Sequence, residues 1–327
     1  MNKLWRFPHI TRRHLQVALG VLWLFDGLLQ LQPFMFTRGF ARQVIAPAAD
    51  GSPRALVAGV TLAAHVIAGH PAFWNALFAA VQLALGIGLL WRPTVRAALA
   101  GSVAWGLGVW VLGESLGGLA GGHASLVTGA PGAAVLYAVL AAGIWPTARP
   151  DGDDSPAAWL GAAWAVLWIG AALLQTLPGR LSGSTLASQV TDSGATGWLG
   201  GLTHAAASGA RHGGPAMVVA LVLTMALVGA AGVAQTAHGQ VRLAGVGLGI
   251  GLAVLFWVVG QGAGQLATGM ATDPNTAVPV VLLGLAAIGA SRREPRITGM
   301  MAPWERERIS PPTWSALRAP SPSTRPH

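Results

Sequence analysis

The sequence predicts an all-α polytopic membrane protein with about eight transmembrane helices, arranged as two parallel four-helix repeats. Three observations predict it. Composition is the first: 53% of the 327 residues are hydrophobic and 9% are charged, with a mean hydropathy of +0.55, more apolar sequence than one soluble core can hide. Recurrence is the second. Residues 21–33 read V-L-W-x-x-x-x-L-L-Q-x-x-P, and residues 166–178 repeat the pattern 145 positions later. Ala41-Arg-Gln-Val44 returns as Ala187-Ser-Gln-Val190, Pro71-Ala72 as Pro215-Ala216, and Trp110-Val-Leu-Gly-Glu114 as Trp257-Val-Val-Gly-Gln261, in order and at offsets of 144 to 147. The third is the placement of basic residues, which alternates with the apolar runs and orients them.

The first span, 15–32, follows Lys3, Arg6, Arg12 and Arg13. This start resembles a signal peptide, but Leu29-Gln-Leu-Gln-Pro33 offers no small-residue cleavage site, so the span is read as retained. Residues 34–70 follow, and their counterpart is 179–214. Arg54–Gly69 is apolar enough for a further span, yet Gly197–Gly214 carries Thr203, His204, Ser208, Arg211 and His212, which favours a surface or re-entrant element. The alternative is five spans per copy and an inverted repeat. Spans at 72–91 and 95–115 flank a turn bearing Arg92 and Arg96, and 132–146 completes the first copy. The second copy places spans at 157–176, 216–235, 240–261 and 277–291, each copy ending on a short one against the ~20 residues that a hydrocarbon core requires.

These boundaries divide the chain into a first repeat at 1–146, a linker at 147–156, a divergent second repeat at 157–291 and a basic tail at 292–327, read as disordered. Basic residues before the first span, in both inter-span turns and after the last span put both termini and the linker in the cytoplasm of a bacterial cell, with the bilayer of the inner membrane as environment. Arg38, Arg42 and Arg54 fall on the other side, against the rule. The sequence pI of about 11.7 reflects charge concentrated at the two ends, so it describes orientation and not nucleic-acid binding. Absence of cysteine excludes disulfides, thiolate nucleophiles and Cys-ligated metal clusters.

Comparison of the copies selects candidate residues. Asp26 faces Ala171, Gln82 faces about Ala226, Glu114 faces Gln261 and His123 faces Met270, so chemistry is expected in the first copy. An ionised carboxylate at the depth of Asp26 is costly unless it faces the bundle, a partner or water. The plainer reading of Asp26 is a carboxylate that reaches the interface or hydrogen-bonds a neighbouring helix, and that of Glu114 is a solvated carboxylate ending its helix at the headgroups. Convergence favours a shared site, because the orientation brings Asp26, Gln30, Gln32, Glu114 and His123 to the outer leaflet, with His65 and His70 at the same level. Asp26 and Glu114 are the candidate catalytic pair, and Gln30, Gln82, His65, His70 and His123 the candidate ligand-binding residues. Two carboxylates and neighbouring imidazoles suit a proton relay. His65 and His70 are five apart and no H-E-x-x-H pattern exists, so no metal-ligand set is assigned.

Other features read as structural. Gly117–Gly122 lacks the Lys-Ser/Thr of a phosphate loop and is read as an outer turn. Trp23, Trp74, Trp105, Trp110, Trp168 and Trp257 are read as packing and interface anchors, with a quinone pocket as the alternative. Small residues four apart, Ala104 with Gly108, Gly245 with Gly249 and Gly247 with Gly251, suit close helix contact.

A basic flank leading into Leu19-Gly20, then Asp26-Gly27 and Gln30-Leu31, then Gln82-x-x-x-Gly86-x-Gly88-x-x-x-Arg92, resembles the DoxX-like family of small bacterial membrane proteins. The resemblance covers most of residues 12–146 and faintly the second copy. It implies a four-helix bundle with short outer-face elements after the first helix, and a link to quinone-coupled sulfur oxidation or oxidative-stress complexes. This chain has Gln82 where the family often has Glu, and Gln30 where it often has Lys. The expectation is a redox-linked membrane protein binding a quinone or another lipid-soluble ligand in the outer half of the first bundle. The alternatives are a small-solute transporter and a non-enzymatic scaffold or assembly factor holding an envelope protein partner.

Overall fold

The computed structural model describes residues 10–147, 153–234 and 239–290. The basic start, part of the linker including Arg149 and Asp151, and the basic tail lie outside the described residues. Within them every regular element is helical: α1 (Arg12–Leu29), α2 (Arg54–Gly69), α3 (Pro71–Leu90), α4 (Val95–Leu112), α5 (Ala133–Gly143), α6 (Leu160–Gln175), α7 (Gly183–Thr191), α8 (Gly197–Val233), α9 (Gly239–Val259) and α10 (Ala277–Ala290). Among the described residues four helices, α3, α4, α8 and α9, are long and apolar enough to cross a membrane. The apolar helices α2, α5, α6 and α10 are shorter.

Local sequence explains the main boundaries. Thr11 caps α1 by accepting from the backbone N–H of His14 at 3.2 Å, and His14 Nδ1 returns an acceptor to the Thr11 N–H at 3.3 Å, a capping box with histidine in the usual Glu/Gln place. Pro71 opens α3 at a position whose N–H would be unpaired in any case. The span read over 95–115 stops at Leu112, because Ser115, Leu116, Gly117 and Gly118 all take left-handed backbone conformations. Glu114 therefore lies in the turn beyond α4. The surface element 197–214 and the span 216–235 join as α8, which breaks at Gly214 (φ 54°, ψ −150°) ahead of Pro215.

Helices α1, α3, α4 and α5 run between the same two ends. At one, the Arg13 guanidinium donates to the Leu89 and Leu90 carbonyls at the end of α3 (2.8 and 2.5 Å), and Gln16 Nε2 donates to Ile144 O at the end of α5 (3.0 Å). Arg12 ties the linker to this end by donating to Ser155 O at 2.9 Å. At the other, Asn75 Nδ2 donates to Gln30 O at 2.6 Å and Glu114 meets the start of α5. Both ends of α2 lie at this second end, since Ser52 and Ser115 hydroxyls are 3.1 Å apart and His70 leads directly into α3. With the preceding short helical turns α2 forms its own small apolar cluster around Met35, Phe40, Val60 and Ile67.

The α1 stripe Leu15, Leu19, Trp23 and Asp26 is buried, at the three- and four-residue spacing of one helix face. Gly20 and Gly86 let α1 and α3 cross closely: a Cβ on Gly86 would lie 2.8 Å from the Gly20 carbonyl. One continuous apolar core joins this bundle to the second half, where Trp164 and Trp168 are fully buried.

The same corner is built twice. Trp110 Nε1 donates to Pro131 O at 2.7 Å, and Trp257 Nε1 donates to Pro274 O at 2.7 Å. Glu114 Oε1 accepts from the N–H of Ala134 at 3.1 Å, and Gln261 Oε1 accepts from the N–H of Ala277 at 3.4 Å. Left-handed residues follow both helices, at Ser115–Gly118 and again at Gly262–Gln265.

Candidate functional site

A cavity of about 430 Å³ lies between α1, α3, α4 and α5, under α2. Four of the seven candidate catalytic and ligand-binding residues line it: Asp26, Gln30, Gln82 and Glu114. Its walls are aromatic. Trp23 meets Tyr137 edge-on at 4.8 Å, and Phe78 bridges Trp74 and Trp105 at 6.2 and 5.6 Å. Three of the tryptophans read as anchors, Trp23, Trp74 and Trp105, are thus cavity walls, whereas Trp110 and Trp257 fasten the repeated corner.

The polar end is under-satisfied. Gln30 Oε1, Gln82 Oε1 and Glu114 Oε2 are buried without a hydrogen-bond partner, as are the indole N–H groups of Trp23 and Trp105. Asp26 Oδ1 and the Tyr137 hydroxyl are neighbours without a well-formed hydrogen bond. Leaving a buried polar group unpaired costs about 1–3 kcal/mol. Several such groups around one apolar cavity, offering both donors and acceptors, form a receptor for a ligand with complementary polar atoms.

Glu114 enters from the turn after α4 and lines the cavity, with Oε1 tied to α5 and Oε2 buried without a partner against Gly132. Burial, with the carboxylate of Asp273 adding repulsion, raises it to about 8, while the N–H groups of Ala134 and Ala133 oppose the shift. Asp273 is a cavity residue that the sequence comparison missed. It comes from the second half, in the loop before α10, where its oxygens accept from Thr272 Oγ1 at 2.8 Å and from the N–H of Asn275 at 2.7 Å. Burial raises it too, against those two hydrogen bonds. The available signal was a lone acid between apolar segments, but the matching position of the first half is not acidic. Tyr137 was also missed, although it is the only tyrosine in the chain and stands in an otherwise apolar segment.

The histidines are placed elsewhere. His65 and His70 are exposed, and neither lines the cavity. His123 is exposed and packs over the glycine-rich turn, so close that a Cβ on Gly121 would fall 2.6 Å from its ring. Among the described residues no group of three His, Cys, Asp or Glu side chains is arranged to hold a metal ion.

The second half treats the equivalent space differently. Gln175, at the position of Gln30, exchanges two hydrogen bonds with Gln189 (3.1 and 3.3 Å), and Gln189 also accepts from Ser125 Oγ at 2.9 Å. There the buried amides are paired, and Ala171 stands where the first half has Asp26. Ser125 belongs to the first half and Asp273 to the second, so each half sends a loop residue into the other.

Comparison with protein-family models, with curated proteins and with solved structures gives no match.

Proposed function

We propose that this chain is an integral membrane protein that binds a lipid-soluble ligand of the quinone class in the cavity of its first bundle, with Asp26 and Glu114 exchanging protons with it. The supporting observation is an aromatic cavity that ends in buried carboxyl and amide groups lacking partners. A quinone fits it chemically, since the ring suits the tryptophan walls and its oxygens accept hydrogen bonds in one redox form and donate them in the other. Gln30, Gln82, Asp26 and Glu114 would hold those oxygens. A bound quinone would supply two-electron, two-proton redox chemistry. The chain's own residues bind, orient and protonate.

We read the chain further as two parallel repeats with eight spans in a bacterial inner membrane, termini and linker cytoplasmic, resembling the DoxX-like family. The doubly built corner at Trp110 and Trp257 supports the repeat. The second reading, a small-solute transporter, is favoured by the reach of Asp273 into the first-half cavity, since a site fed by both halves suits alternating access.

The test is a thermal shift of the protein in lipid nanodiscs with a short-chain quinone. Saturation at 100 times Kd should stabilise the parent by about 2.7 kcal/mol. Asp26→Asn and Glu114→Gln should lose most of that shift. A parent that shows none at any quinone concentration overturns the reading.

A further inference from the structure

We propose that the cavity is reached sideways from the bilayer, through a gap between α2 and α4, so that a lipid-dissolved molecule arrives at the polar end without passing through water. The inference rests on the cavity being the ligand site proposed above, and adds its route of access.

Of the residues lining the cavity, the exposed ones are Val66 on α2 and Ala104, Gly108 and Leu112 on α4. The three on α4 are four apart and share one face. Sequence alone suggested close helix contact at Ala104 and Gly108. The structure corrects this, because a Cβ added to Gly108 meets nothing within 4 Å. Their small size keeps a gap open.

The surroundings indicate lipid. Val66 and Leu112, the two larger residues of the opening, are 42% and 45% exposed, so with Ala104 and Gly108 its rim is wholly apolar, a surface that acyl chains would wet. From Leu112 back to Ala104 the opening descends roughly 12 Å at 1.5 Å per residue, past the headgroups of a bilayer that α4 crosses. Behind it lie the unpaired amide oxygen of Gln82, a residue only 7% exposed, and the carboxyl of Asp26, 2% exposed. Those buried, unpartnered groups distinguish a ligand route from a packing defect.

Because the chain has no cysteine, access can be timed with a single introduced thiol. The reporter is Gln82→Cys in liposomes, treated with N-phenylmaleimide dissolved in the bilayer or with a sulfonated, membrane-impermeant maleimide; Ala63→Cys on α2 serves if the first variant fails to fold. The lipid-soluble reagent should react faster. Adding Gly108→Leu should slow it about tenfold, the factor that a barrier higher by 1.36 kcal/mol gives. Gly247→Leu, on an exposed face of α9 where a Cβ also meets nothing within 4 Å, should leave the rate unchanged. Equal rates with and without Gly108→Leu, or faster reaction of the sulfonated reagent, would overturn lateral access. This readout needs no quinone, so a failed quinone thermal shift and a failed access assay are separate results.

Discussion

Glu114 joins α4 to α5 with one carboxyl oxygen, accepting from the N–H of Ala134 at 3.1 Å, and leaves the other buried and unpartnered beside the cavity. The two oxygens separate structure from function. Glu114→Gln keeps an acceptor for Ala134, as Gln261 does for Ala277 in the second half. Melting in detergent should change little for Glu114→Gln, while Glu114→Ala should lose about 1–3 kcal/mol by leaving the α5 N–H unpaired. Quinone-dependent stabilisation should fall in both.

Stability should also depend on pH through this residue. Its folded-state value of about 8 lies above the ordinary 4.5, so the folded state holds a proton that the unfolded state releases. The contribution is complete below the ordinary value and is lost as pH rises through the raised one. Melting temperature should therefore fall between about pH 5 and 9, and Glu114→Gln should flatten that slope. A slope unchanged in the variant would assign the dependence to other groups.

Part of this arrangement was legible in the sequence, because long apolar runs form helices and setting the matching segments side by side picks out residues that one half has and the other lacks. The apolar segments are helical, and four of the residues picked out in this way, Asp26, Gln30, Gln82 and Glu114, line one cavity. What failed to show was anything reaching across the halves. Matching positions copy by copy compares Asp273 with a non-acidic residue and cannot say that its loop leans over the other bundle. The histidines misled for the opposite reason, since lying at the same end of a bundle says nothing about direction, and His65 and His70 are exposed. Gly108 illustrates a third limit: a small residue marks close contact or a gap, and only a neighbour decides.

Asp273 gives the sharpest test of a site shared between halves. Asp273→Asn should weaken quinone-dependent stabilisation about as much as Asp26→Asn, whereas His123→Ala and Met270→Ala should leave it near the parent. Titrating quinone against each variant in nanodiscs measures this. An Asp273→Asn variant that binds as the parent does would confine the site to the first half.

Orientation is testable with the same cysteine-free background. Ala158 and Ala120 are exposed at opposite ends of the bundle. A cysteine at Ala158 should resist a membrane-impermeant reagent in intact cells, and one at Ala120 should react. The reverse pattern would invert the topology.

The crossing loops make each half a cover for the other. The Arg180 guanidinium donates to the carbonyls of Ala124 and Gly122, Ser125 reaches Gln189, and in return Gln32 Nε2 donates to Ala271 O at 3.0 Å while Asp273 enters the first bundle. Neither half is closed without the other: one packs its space shut with the paired amides of Gln175 and Gln189, and the other keeps a hollow that Asp273 helps to line.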